Sequence, residues 1–163
     1  MRGSAADVDA LEPLWVAVHH RHAESMPELR PYVTDAETWA ARRALYAELL
    51  DKPDTVLLLA HAGGALVGYG LAHVMVAGDT WLADTWVTGG RVGEIESLSV
   101  RPDLRGAGIG TALLDGLERA LADDGVTDLV LGVLPGNDAA RRLYERRGYR
   151  PTWLYLSRLG GRG

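Results

Sequence analysis

The chain has 163 residues, enough for one well-filled core and too few for two ordinary domains, so a single domain with its core over about residues 7–159 is expected. Its 47% hydrophobic and 24% charged content is that of a globular protein, no apolar run approaches the roughly 18 residues of a membrane span, and no basic-then-apolar leader opens the chain, so the cytoplasm is the expected location. A net charge of -5 argues against nucleic acid as a partner, and the absence of cysteine excludes disulfides, thiolate metal sites and covalent cysteine chemistry.

Met1 to Ser4, an M-R-G-S start that can be added during cloning, carries no fold signal. Asp7 or Asp9 then caps a helix to about Ala23, with Leu11, Leu14, Trp15 and Val18 on one face, and Pro27 and Pro31 end it. A second helix, capped by Asp35, runs from Ala36 to Leu50 and stops at Lys52-Pro53. Two strands follow, about Thr55 to Ala62 and Leu66 to Val76, joined by a Gly63-Gly64 hairpin turn. Gly89-Gly90 reads as a second hairpin turn into a strand from Val92 to Val100, which gives three antiparallel strands.

A helix from Gly108 to Asp123 carries an apolar stripe of Ile109, Ala112, Leu113, Leu117, Ala120 and Leu121. The Leu- and Val-rich run from Asp128 to Leu134 reads as a strand buried on both faces. Asn137 caps a last helix to about Arg147 with Gly148 just past its end, and Tyr149 to Leu159 reads as a final strand before a Gly160 to Gly163 tail. The order is that of a mixed α/β protein.

Chemistry concentrates between Glu94 and Thr111. A strand that hands over to a helix through the glycine-rich turn Arg105-Gly106-Ala107-Gly108-Ile109-Gly110 leaves unpaired N–H groups at the helix start, converging on an anion site. The alternating glycines do not give the dinucleotide spacing G-x-G-x-x-G, and no Lys-Ser/Thr follows as in a nucleotide P-loop. Glu94 and Glu96, two apart on a strand, are expected on one face together with Leu98 and Val100, either as solvated edge carboxylates or as a base.

Arg105 to Gly110 resembles the R/Q-x-x-G-x-G/A acyl-CoA signature of the GNAT superfamily of N-acyltransferases, and Asn137 to Tyr149 is similar to that family's N-x-x-A-x-x-L-Y-E-x-x-G-F/Y block. The resemblance implies a mixed, mostly antiparallel sheet flanked by helices, with splayed strands forming an acyl-CoA cleft. The family's first strand should precede the first helix, so either it is missing or Met1 to Ala6 supplies a stub of it. By the same resemblance Leu98, Ser99 and Val100 line up the pantetheine arm. The backbone of Arg105, Gly106, Ala107, Gly108, Ile109 and Gly110 and the Thr111 hydroxyl hold the diphosphate, and Asn137 and Ala140 lie along the cofactor. Arg141 and Arg142 are weighed for the 3′-phosphate against plain surface positions.

The implied activity is transfer of an acetyl or other acyl group from CoA to a primary amine, by direct attack in a ternary complex without a metal. An amine of lysine type, with a pKa of about 10.4, needs a base before it can attack. Glu96 is the first choice, being nearer to Leu98, with Glu94 the alternative, and Tyr144 matches the family's general acid. A non-catalytic acyl-CoA sensor is the rival reading, and a homodimer through the outer strands is compatible with the family. His19, His20 and His22 lack the ligand pattern of a zinc site and are read as exposed or acceptor-side residues. Trp39, Trp81 and Trp86 serve either core packing or an aromatic acceptor wall.

Overall fold

The computed structural model describes residues 1–158. A 3-10 turn, Ala5–Leu11, runs into α1 (Glu12–Ser25); α2 (Asp35–Leu50), β1 (Thr55–Ala62), β2 (Ala65–Val76), β3 (Arg91–Val100), α3 (Ile109–Asp123), β4 (Asp128–Leu131) and α4 (Asp138–Arg146) follow. The strands form one sheet in the order β1-β2-β3-β4, antiparallel except for the parallel β3–β4 pair. This is the mixed, mostly antiparallel α/β architecture that was expected.

Period-two alternation sends each strand's side chains to two different cores. Leu57, Leu59, Tyr69 and Leu71 pack with Leu11, Leu14, Trp15, Trp39, Tyr46 and Leu49 from the α1 and α2 side. Val56, Ala72 and Ile95 pack with Leu114, Leu117 and Leu121 of α3, joined by Leu143 and Tyr144 of α4. Trp39 is therefore a core residue. The α3 stripe is rotated from its expected position: Leu114 is fully buried while Ala112 is exposed.

Local signals fix several ends. Thr34, rather than Asp35, is the N-cap of α2, and it forms a reciprocal capping box with Glu37. Ser4 and Asp7 make the same arrangement ahead of the first turn, so Asp7 is a capping partner and not the cap. Gly63 and Gly64 both adopt positive φ in the β1–β2 turn, which an L side chain resists. Met1 to Gly3 supply the stub of a strand: Arg2 bridges to Leu58 and the Gly3 N–H donates to the Leu57 carbonyl at 2.8 Å.

Three expectations fail. Gly89-Gly90 is not a tight hairpin turn; residues 77–90 form a long connection, closed where the Ala77 N–H donates to the Gly90 carbonyl and filled by buried Leu82. The β4 strand ends at Leu131 rather than Leu134 and is only half-buried, because nothing in the described residues pairs with its outer edge. Tyr149 to Arg158 is not a strand, and Leu159 lies outside the described residues. A β-favouring run becomes a strand only beside a partner edge. This one instead lays Trp153 against Trp81 and Trp86, with ring centroids 5.7 and 6.1 Å away.

Candidate active site

The glycine turn is built as expected. Pro102–Leu104 forms one 3-10 turn after β3; Gly106 and Gly108 then take φ of 84° and 83°, a backbone that only glycine adopts without strain. Gly108 is the N-cap of α3 and has no capping side chain, and the first intrahelical bond is the one Ala112 N–H donates to Gly108. The amides of Ile109, Gly110 and Thr111 thus open the helix at its positive end, where an anion is favoured. Two of the turn's amides are already engaged: Arg105 N–H donates to Pro102 and Ala107 N–H to Leu104, each at a long 3.4 Å. Arg105, Gly106, Ala107, Gly108 and Thr111 are exposed and Ile109 and Gly110 half-buried, so the turn is open to a ligand.

The two glutamates lie differently from the expectation. The β2–β3 register pairs Leu71 with Ser97 and Ala72 with Ile95, so Glu96 is an extra residue in β3. Such a bulge shifts the alternation by one. Before it, Ile95 faces α3 and Glu94 and Glu96 face α1 and α2; after it, Ser97 and Ser99 take the α1/α2 side and Leu98 returns to α3. Glu94 and Glu96 therefore do not share a face with Leu98.

Each glutamate has its own partner. Glu96 pairs with the Arg42 guanidinium of α2, which lies 3.8 Å over the Trp15 ring. Glu94 lies across β2 from His73, with Nε2 3.2 Å from its Oε2. One ring nitrogen of His73 and one oxygen from each carboxylate all fall within 4.8 Å of one another. Three such atoms could meet the protein's share of a catalytic zinc site, but Arg42 already supplies the positive charge opposite Glu96. Beside them Tyr46 donates to Ser97 at 2.6 Å and meets the Tyr69 hydroxyl at 2.9 Å, and Ser99 donates to the Leu14 carbonyl. Burial pushes both tyrosines above their ordinary range.

Tyr144 lies on the opposite face, packed with the Leu114, Leu117 and Leu121 cluster and edge-on to Tyr149 at 5.9 Å. Its hydroxyl makes no hydrogen bond among the described residues, and burial of the ring pushes its pKa up to about 12. The phenol keeps its proton at neutral pH. The Asn137 side chain accepts from the Ala140 N–H at 3.5 Å and so caps α4, while Arg147 ties that helix to Asp115 and Glu118 of α3. Arg141 is engaged with the Pro135 carbonyl and Glu145.

What joins the two faces is a gap in the sheet. β3 and β4 pair only over Val92–Ile95 and Asp128–Leu131, so from Glu96 to Val100 the β4 side of β3 has no strand partner among the described residues. Leu98, Ser99 and Val100 border this opening, between the glycine turn and the acids.

Sequence reasoning missed His73 and Arg42. A histidine and an arginine announce nothing individually, and the 14-residue connection hides the β2–β3 register that makes His73 and Glu94 neighbours. The three α1 histidines have separate contacts: His19 meets the Val33 carbonyl, His20 pairs with Asp35, and His22 stands edge-on to Trp15. Trp81 and Trp86 pack on each other and on Trp153.

The sequence profile of the Acetyltransferase (GNAT) family matches residues 15–149. A protein of Mycobacterium tuberculosis, named as an uncharacterized N-acetyltransferase, is 30% identical over 134 residues, covering 82% of this chain and 76% of the relative. The thialysine N-epsilon-acetyltransferase of Sus scrofa is 32% identical over 106 residues, 65% of this chain and 54% of its own. Among solved structures, a GCN5-related N-acetyltransferase from Ralstonia eutropha superposes with a TM-score of 0.75 at 22% identity, covering 99% and 97% of the two chains. A predicted acetyltransferase of Clostridium acetobutylicum, solved with acetyl-CoA, gives 0.68 at 21% identity over 96% and 94%.

Proposed function

The chain belongs to the acetyltransferase (GNAT) family, and from that premise we propose that it moves an acetyl group from acetyl-CoA to a cationic primary amine by direct attack within a ternary complex. The observation that carries this reading is the β4-side edge of β3 beyond Ile95, which has no strand partner among the described residues, with an anion-seeking helix start at its end, carboxylates on one face and a protonated phenol on the other.

The donor would lie along the α3 and α4 side, its diphosphate on the amides of Ile109, Gly110 and Thr111 and its pantetheine arm along Leu98 to Val100. The amine would arrive from the α1/α2 side, where Glu94 and Glu96 give its ammonium a counter-charge and one of them accepts its proton. The freed nitrogen attacks the thioester carbonyl carbon, the C–N bond forms and the C–S bond breaks. Tyr144 gives its proton to the leaving sulfur and recovers one from the nitrogen, which sheds its second proton as the amide forms. One proton leaves with the base. Holding amine and thioester together in the gap supplies much of the rate. Desolvation that stiffens the phenol against ionisation also raises the proton affinity of a thiolate beside it. The acidic balance of the chain suits a cationic acceptor, and the pig relative's name, with its Nε amine, fits that class.

Acetyl-CoA and a panel of alkylamines, thialysine and other amino acids, polyamines and aminoglycosides test the reading through thiol release. Release that depends on an amine supports it. Tight acetyl-CoA binding with no turnover on any amine would leave a sensor module instead.

A further inference from the structure

Resting on that reading, the inference concerns how the two glutamates divide their labour. We propose that the proton of the incoming ammonium is taken by the Glu94–His73 pair, with His73 a positioning residue that holds the carboxylate and shares its proton, while Glu96 is committed to Arg42.

The geometry separates the two acids. Glu96 is 17% exposed and faces a guanidinium fixed over Trp15, with the Tyr46 ring 5.6 Å away on its other contact. Glu96 Oε1 accepts a charge-assisted bond from Arg42, and protonating this carboxylate would leave the half-buried guanidinium without its counter-charge. Glu94 is 32% exposed, the more accessible of the two, and its partner is an imidazole 13% exposed. An imidazole can carry an added proton, so this pair takes one up without displacing a counter-charge already in place.

The surroundings favour one added proton. With His73 neutral, the two carboxylates and the Arg42 guanidinium leave the cluster with one net negative charge; protonating His73 makes it neutral. Other titratable groups on this face include Tyr46 on α2, Tyr69 on β2 and His19 and His22 on α1. On β1, Thr55 stands opposite His73 with its hydroxyl on the Leu49 carbonyl, and the Asp54–Arg91 ion pair follows. Apart from Arg42 and Arg91, each already paired, these groups bring no standing positive charge to oppose the uptake.

The step balances. The ammonium N–H bond breaks, its electron pair stays on nitrogen for attack at the carbonyl carbon, and the proton goes to Glu94 and on to His73 Nε2.

Glu94→Gln, Glu96→Gln and His73→Gln are compared in the full chain, using acetyl-CoA and the panel amine that turns over fastest. At pH 7, kcat/KM falls about 100-fold in Glu94→Gln and less than 10-fold in Glu96→Gln. His73→Gln loses about 10-fold and moves the acid limb of kcat/KM against pH to lower pH, which a merely structural change would not do. A larger loss in Glu96→Gln than in Glu94→Gln, or an acid limb that stays in place in His73→Gln, overturns the proposal.

A second measurement needs no acceptor: the His73 ring resonance is titrated by NMR in the unliganded wild type, Glu94→Gln and Glu96→Gln proteins. The midpoint falls furthest in Glu94→Gln if the pair is as proposed, and an equal or larger fall in Glu96→Gln contradicts it. Absence of turnover with every amine would sink the acetyltransferase reading, while this titration still judges the pair.

Discussion

The two faces of β3 are built from opposite materials. On the α3 side, Ile95 and Leu98 meet Leu114, Leu117 and Leu121, with Tyr144 packed against them. On the α1/α2 side, Glu94, Glu96, Ser97 and Ser99 meet Arg42, His73, Tyr46 and the Leu14 carbonyl, and almost every polar atom there has a partner. A bulge at Glu96 lets one short strand present both sets, since it gives two successive residues to the polar face and returns Leu98 to the apolar one. One face thereby holds a phenol above its ordinary pKa, and the other sets two carboxylates beside an arginine and a histidine.

The apolar face is broken most severely by Leu117→Ala. Leu117 is fully buried and its Cδ1 packs so closely over Gly70 that a Cβ there would lie 2.8 Å from it. Truncation at such a site costs about 2–5 kcal/mol, the upper part of that range where neighbours cannot collapse into the cavity. Urea unfolding should read this loss with the m-value unchanged; a loss below about 1 kcal/mol would mean that the face is loosely packed.

Tyr144→Phe tests the same face through its chemistry. Removing one hydroxyl leaves the ring packing, so the expected result is a kcat about 100-fold lower, near 2.7 kcal/mol of barrier, with the calorimetric Kd for acetyl-CoA within twofold. Because the phenol titrates at about 12, the wild-type kcat should show no alkaline limb from Tyr144 below about pH 11. Unchanged kcat would remove the phenol from the reaction.

Much of the donor side could be read directly because its signals are local. Gly106 and Gly108 stand where the backbone needs positive φ, Asn137 caps the helix it precedes, and Gly148 ends that helix at φ 94°. The acid side depended on long-range register. No spacing along the chain reveals that Glu96 is surplus in its strand, since a bulge is defined by the partner strand and not by the bulged one. Reading Glu94, Glu96, Leu98 and Val100 as one face followed from strict alternation, and one extra residue undid it. The segment after Tyr149 failed for a related reason: its Thr, Trp, Leu and Tyr favour a strand, yet pairing needs an edge that lies elsewhere in the chain.

A smaller effect is expected where the two helices of the apolar side meet. Arg147 donates to both Asp115 and Glu118, and Tyr149 adds a hydroxyl to Glu118 at 3.1 Å. These carboxylates hold the guanidinium's proton more firmly than usual, the hydrogen bond to Glu118 being the larger cause. Arg147→Ala should cost about 1–3 kcal/mol, since the group is half-buried and bidentate, and it should raise the KM for acetyl-CoA by loosening the helix that carries Asn137 and Tyr144. Loss of stability without any change in KM would show that α4 is placed by its apolar face alone.

The gentlest probe belongs to the polar face. His22 is held below the ordinary imidazole value, first by burial and then by the charges of His19 and Arg42. In the unfolded chain the same ring binds a proton near the ordinary pKa of about 6.5. As pH falls below that value the unfolded state gains a proton that the folded state refuses, so stability drops until the folded ring also titrates. His22→Gln loses the edge-on contact with Trp15 at every pH but escapes this acid-dependent drop. Its unfolding free energy, measured at steps from pH 7.5 to 5, should therefore lose less than the wild type loses over the same range. Equal slopes would mean that burial does not keep the folded ring from taking up a proton.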